Sequence, residues 1–118
     1  MPSLLIVDDS PISRKILRKC LPPGDFQIRE VGSGEDCLKQ YQAQKADLVF
    51  LDLTMPGMDG FETLEHLRRM DPEAKVVVVT ADIQSTSRAK ARDLGALEVV
   101  AKPPKPETIS QALELALR

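Results

Sequence analysis

Four groups of polar residues follow apolar runs along the chain. Asp8-Asp9 comes after Leu4-Leu5-Ile6-Val7, and Asp52 comes after Asp47–Leu51. Thr80-Ala81 comes after Lys75–Val79, and Lys102-Pro103 closely follows Leu97–Val100. If the runs are neighbouring strands pointing one way, these side chains converge on one sheet edge. Three carboxylates held together repel one another and cost stability unless a cation or a lysine neutralises them. All-oxygen ligation with open positions suits Mg²⁺, which keeps several waters and uses one or two carboxylates plus substrate phosphate oxygens. A softer metal would recruit Cys or His. Lys102 then faces the oxygens of that substrate. A single Asp after a strand equally serves as a helix cap or turn former. It is the conjunction on successive runs that points to chemistry.

The elements that must position these residues alternate. Leu4–Val7 is short, continuous, apolar and partly β-branched, as in a strand buried on both faces. Ser10-Pro11 supplies an N-cap and first helical residue. Ile12, Ile16, Leu17 and Cys20 then recur at helical spacing, with Arg14, Lys15, Arg18 and Lys19 on the other side, until Pro22-Pro23-Gly24 breaks the segment. Strands are expected at Phe26–Val31, Asp47–Leu51, Lys75–Val79 and Leu97–Val100. Helices are expected at Gly34–Gln44, Phe61–Met70, Ser85–Leu94 and Glu107–Leu117. Five βα units with short loops and right-handed crossovers imply an open parallel α/β sheet covered on both faces. A closed eight-unit barrel would need about twice the length.

The length, 118 residues, suits one domain spanning 1–118. Hydrophobic content of 42% with 29% charged residues argues against disorder and coiled coil. Aromatics at 3% and no Trp leave an aliphatic core and few stacking platforms for single-stranded nucleic acid. With 16 basic against 18 acidic residues, no global positive field exists to attract a phosphate backbone, so direct nucleic-acid binding is not expected. Cys20 and Cys37 read as small buried hydrophobes in a reducing compartment. The N-terminus has neither signal-peptide nor anchor character, so the expectation is a cytoplasmic protein without membrane insertion.

The chain resembles the receiver domain of two-component response regulators. The resemblance runs through Leu5-Ile6-Val7-Asp8-Asp9-Ser10, the stretch Asp47–Gly60 with Asp52-Leu53-Thr54-Met55-Pro56-Gly57, Val78-Val79-Thr80-Ala81, Leu94-Gly95-Ala96 and Lys102-Pro103. It implies a flavodoxin-like (βα)5 fold, doubly wound, with strand order 2-1-3-4-5. It also implies that Asp52 is the phosphoacceptor, taking a phosphoryl group from a histidine kinase's phosphohistidine or a small acyl phosphate. The protein is then substrate and catalyst of its own phosphorylation and dephosphorylation, a signalling protein and not an enzyme acting on others. Mg²⁺ would be held by Asp9, Asp52 and the Thr54 main-chain carbonyl, with Asp8 acting through water. Lys102, the Thr80 hydroxyl and the Ala81 amide would take the phosphoryl oxygens. Thr80 would also start the switch, and the Lys102-Pro103 bond would be cis as in the family. The implied partners are a histidine kinase, a downstream protein on the face made by the fourth helix, fifth strand and fifth helix, and a phosphatase.

One position departs from the family. Three residues before Lys102, where Tyr or Phe is usual, stands Val99, which has stiff χ1 preferences and no ring to rotate. Output is then expected from backbone shifts or from partners reading Val99 and Val100. Asp82 is a candidate for tuning phosphoryl lifetime, against an exposed turn aspartate. Arg88, Lys90, Arg92 and Lys105 make a locally basic region that is either a solvated face or a surface for an acidic partner. His66 reads as surface, Met55 and Met58 as loop packing, and Leu64-Leu67 and Ile109-Leu113 as core. A flavodoxin-type cofactor binder shares the fold, but Asp8-Asp9 would repel its phosphate. The Asp-x-Asp spacing of haloacid dehalogenase-like phosphatases is absent. A phosphorylation-independent pseudo-receiver usually lacks one of the acidic, Thr or Lys positions. No effector is expected after the fifth helix, so protein binding is the expected output, in chemotaxis or in a phosphorelay. A receiver fragment of a larger regulator would read identically.

Overall fold

The computed structural model describes residues 1–118. Its elements are β1 (Ser3–Val7), α1 (Pro11–Cys20), β2 (Gln27–Val31), α2 (Gly34–Ala43), β3 (Leu48–Leu51), α3 (Gly60–Met70), β4 (Val76–Thr80), α4 (Ser85–Asp93), β5 (Glu98–Ala101) and α5 (Pro106–Ala116). The expected alternation is present throughout, and the boundaries differ by a residue or two. The five strands are all parallel, in the order β2-β1-β3-β4-β5, a flavodoxin-like arrangement.

Chain direction and handedness together distribute the helices. The β1-to-β2 step moves one way across the sheet, and the next three steps move the other way. Right-handed crossovers therefore put α1 on one face and α2, α3 and α4 on the opposite one. The core divides accordingly. Leu4, Ile6, Leu48, Phe50, Val77, Val79 and Val100 pack with α1 and α5. Leu5, Val7, Val49, Leu51, Val76, Val78 and Val99 pack with α2, α3 and α4. Successive strand residues alternate between the two layers, as strand geometry demands. The central strands β1, β3 and β4 are buried along their whole length, whereas edge strand β2 carries Gln27, Arg29 and Glu30.

Helix starts follow their cap residues. Ser10 Oγ accepts from the Ser13 amide, with Pro11 at the first helical position; Ser33 and Asp59 cap α2 and α3 in the same way. The apolar face expected on α1 is narrower than its spacing suggests. Leu17 and Cys20 are buried, but Ile12 is 72% exposed and Ile16 41% exposed. Ile16 borders the cavity under α1 and is only partly covered, and Ile12 lies on the open side of the helix. Both cysteines are buried and free, and burial pushes the Cys37 thiol up to about 12. Leu64, Leu67, Ile109 and Leu113 are core, Met55 is buried in its loop, Met58 is half-buried there and His66 is exposed.

Candidate functional site

The backbone ladder runs past the strand ends and carries the candidate residues with it. The Asp8 amide donates to Val31 O at 3.1 Å, the Asp52 amide to Val7 O at 3.0 Å, and the Lys102 amide to Thr80 O at 2.8 Å. These bonds align the C-terminal ends of β1, β3, β4 and β5. The side chains behind them meet at the edge where ligands bind in open α/β sheets.

Lys102 lies between two of the carboxylates. Its Nζ is 2.7 Å from Asp8 Oδ2 and 3.3 Å from Asp52 Oδ2. Asp8 Oδ1 accepts from the Ser10 amide at 2.9 Å, and Asp52 Oδ1 from the Thr54 amide at 3.3 Å. Asp8 and Asp52 are buried, while Asp9 is exposed at the mouth. Burial is the main influence lifting Asp52 above the usual carboxylate range. The charge of Asp8 adds to it, and Lys102 opposes it. Burial works against the Lys102 ammonium, yet its hydrogen bond to Asp8 and the charges of Asp52 and Asp8 outweigh that and raise its pKa. Beside this cluster a cavity of about 220 Å³ opens under α1, walled by Ile6, Leu17, Phe50, Val79 and Pro103. The Lys102-Pro103 bond is cis, as expected.

The cluster suits a hard divalent cation. Carboxylate oxygens of Asp8, Asp9 and Asp52 lie within 4.8 Å of one another. One ammonium against three carboxylates leaves a deficit of two positive charges when all are ionised. The donors are all oxygen, which matches Mg²⁺ and not a soft metal.

The remaining candidates are distributed unevenly. Thr80 is buried at the end of β4, and its hydroxyl oxygen accepts from the Asp82 amide at 3.1 Å. That leaves the hydroxyl proton free to donate. Ala81 and Thr54 are exposed in the adjoining loops. Asp82 is engaged within its own turn: Ser87 Oγ donates to its Oδ2 at 2.6 Å and the Gln84 amide to its Oδ1 at 3.2 Å. It therefore ties down the start of α4. Val99 is only 8% exposed and packs in the α4 layer, as the inward phase of that residue on β5 requires, and with Val100 it borders a groove between Arg88 of α4 and Gln111 of α5. In the basic region, Lys90 lies 4.4 Å from the centre of the Phe61 ring and Arg92 pairs with Glu98 at 2.7 Å. Half of that charge is already engaged within the chain.

Two supports of the site rest on contacts that sequence spacing does not show. Gly60 packs so closely on the backbone of Asp52 and Leu53 that an added Cβ would collide with it. The signal was the glycine opening α3 after Asp59. Arg14, expected on the solvent side of α1, instead donates through Nη1 to the Asp8 main-chain oxygen. The contact spans only six residues, yet the helical spacing puts Arg14 on the solvent side and does not announce it; Glu30 on β2 then holds the same guanidinium.

Comparison with known proteins agrees with this geometry. The chemotaxis protein CheY of Listeria monocytogenes is 36% identical over 119 residues, covering all of both chains. The CheY of Thermotoga maritima is 31% identical over 111 residues, 93% of this chain and 92% of its own. Among solved structures, the CheX-CheY-BeF3-Mg complex of Borrelia burgdorferi superposes with a TM-score of 0.91 at 28% identity, covering 98% of this chain and 89% of that one. The sequence pattern of the response regulator receiver domain matches residues 4–114. With the fold, the acidic edge and the lysine in place, the chain belongs to the response regulator receiver domain family.

Proposed function

We propose that residues 1–118 act as one phosphoacceptor unit in which Asp52 receives a phosphoryl group from a histidine kinase and the modified protein binds a downstream partner. The observation that carries this reading is the Asp52 carboxylate, held at a strand end between Asp8, Asp9 and Lys102. An Asp52 carboxylate oxygen attacks phosphorus, the phosphorus–nitrogen bond of the phosphohistidine breaks, and its electron pair returns to the imidazole. No proton must leave Asp52, so no general base is needed, and catalysis reduces to alignment and charge neutralisation. Asp9, Asp52 and the Thr54 carbonyl would hold Mg²⁺ directly and Asp8 through water. When bound, the ion shields the anionic nucleophile from the anionic phosphoryl group. Lys102 holds a phosphoryl oxygen, the free proton of the Thr80 hydroxyl another, and the Ala81 amide assists.

The same contacts support a switch. Drawing the Thr80 hydroxyl toward a phosphoryl oxygen pulls on the β4–α4 loop through the Asp82 amide. Helix α4 has Ala91 as its one buried residue, so few apolar contacts resist its movement. Stiff, buried Val99 leaves the change to this loop and helix. Output on the α4–β5–α5 face, in chemotaxis by analogy with the CheY relatives, follows from that, as does access for a phosphatase. A cytoplasmic location fits a kinase-fed receiver, and no helix is long and apolar enough to cross a membrane.

Intact mass after incubation with Mg²⁺ and acetyl phosphate tests the reading. One added phosphoryl group, lost with EDTA and in Asp52→Ala, is the expected result. No addition from either acetyl phosphate or a phosphohistidine donor, with Mg²⁺ bound, would mean a phosphorylation-independent binding module.

A further inference from the structure

The acidic loop is gripped from outside the site. Arg14 Nη1 donates to the main-chain oxygen of Asp8, and Arg14 Nε donates to Glu30 Oε1 at 3.0 Å. The other oxygen of Glu30 accepts from Arg18 Nη1 at 2.6 Å. The Arg14 side chain is 19% exposed, so water competes little for it. The bond from Arg18, seconded by that from Arg14, outweighs burial and holds the Glu30 carboxyl below its ordinary range, and Glu30 stays charged.

The carbonyl that Arg14 holds belongs to the peptide joining Asp8 to Asp9. A peptide unit is planar and includes both flanking Cα atoms. Anchoring its oxygen therefore sets the two points from which the neighbouring carboxylates project. The Asp8 amide to Val31 O and the Ser10 amide to Asp8 Oδ1 secure the Asp8 side. No hydrogen bond holds the Asp9 carboxylate itself, so its position depends on that peptide.

We infer that Arg14 is a positioning residue for the Asp8–Asp9 carboxylate pair, and that Glu30 offsets its charge so that the loop is held with less repulsion of a bound cation. The inference rests on the Mg²⁺ site of the proposed function. A bare guanidinium beside the loop would oppose a dication, whereas Glu30 offsets that charge; Arg18, the second guanidinium on Glu30, is half exposed and screened by water. A lysine could not replace Arg14, because reaching two acceptors in different directions needs the planar fork of the guanidinium.

Calorimetric titration of the unphosphorylated full chain with Mg²⁺ tests this, comparing wild type with Arg14→Gln, Arg14→Lys and Glu30→Gln after thermal melting has verified folding. Partners that orient metal ligands typically contribute 10–100-fold in affinity. Arg14→Gln should bind Mg²⁺ roughly tenfold more weakly, and Arg14→Lys should not restore binding. Glu30→Gln should also weaken binding, by an amount that shrinks as salt is raised. In phosphorylation by acetyl phosphate, the half-saturating Mg²⁺ concentration should rise in Arg14→Gln while the rate at saturating Mg²⁺ stays near wild type. Wild-type affinity in either Arg14 variant, or a salt-independent Glu30→Gln, overturns the inference alone. Should Arg14→Gln not fold, Arg14→Lys and Glu30→Gln decide it. A wild-type chain that binds no Mg²⁺ overturns the proposed function and this inference with it.

Discussion

Around Asp52, burial and the Asp8 charge raise its pKa while Lys102 lowers it. In the metal-free protein, Lys102→Met should push the Asp52 carboxyl further up, and Asp8→Asn should bring it down, since the first removes a favourable charge and the second a repulsive one. A pH titration of the Asp52 carboxyl carbon by NMR reads both shifts, and movement in the opposite sense would contradict this balance. Gly60 constrains the same residue through the backbone. Gly60→Ala should cost about 1–3 kcal/mol in denaturant melts, as overpacking does. It should also slow phosphorylation, because relief requires α3 or the Asp52 peptide to move. An unchanged rate would show that the strain is absorbed elsewhere.

Among the elements, α1 separates packing from patterning. Leu17→Ala should destabilise by about 2–5 kcal/mol, whereas Ile12→Ser should stay within about 0.5 kcal/mol, measured as denaturant midpoints. The period of α1 was legible, but how far its isoleucines would be covered was not, because that depends on what the other elements pack against the helix. Helices α2 and α3 are joined by a buried contact in which Tyr41 Oη donates to Asp71 Oδ2 at 2.6 Å. That bond is the largest influence holding the Asp71 carboxyl below its ordinary range. A depressed carboxylate pKa means the folded state binds fewer protons than the unfolded chain. The stabilisation is therefore present above the unfolded value of about 3.9 and is lost as pH falls through the folded one. The difference in melting temperature between wild type and Tyr41→Phe should accordingly be largest near neutral pH and shrink in acid. A constant difference would indicate lost packing in place of a charge-assisted bond.

At the scale of the whole molecule, the acidic edge gathers three mutually repelling carboxylates at one end of the sheet. Mg²⁺ at about 100 times its dissociation constant should add about 2.7 kcal/mol to folding stability, visible as a rise in melting temperature. Asp9→Asn should lose that response, yet melt no lower than wild type when metal is absent, because it removes one of three mutually repelling carboxylates. A metal-free Asp9→Asn protein that melts well below wild type would mean that Asp9 stabilises the fold itself.

Strand and helix alternation, the parallel sheet and the placing of Asp8, Asp9, Asp52, Thr80 and Lys102 on one edge were determined by the sequence alone. Apolar runs, cap residues and crossover handedness are local or general constraints, and they act before any particular contact forms. What only the tertiary structure decided is how the other residues meet that edge. Lys102 bridges Asp8 and Asp52, Asp82 turns to the start of α4, Val99 is buried, and Arg14 reaches the Asp8 carbonyl while Glu30 from β2 steadies it. The Lys102 and Glu30 contacts and the burial of Val99 come from the packing of separate elements, where sequence spacing carries no information about distance; the Asp82–Ser87 and Arg14–Asp8 contacts are close in sequence but depend on side-chain directions that spacing does not encode.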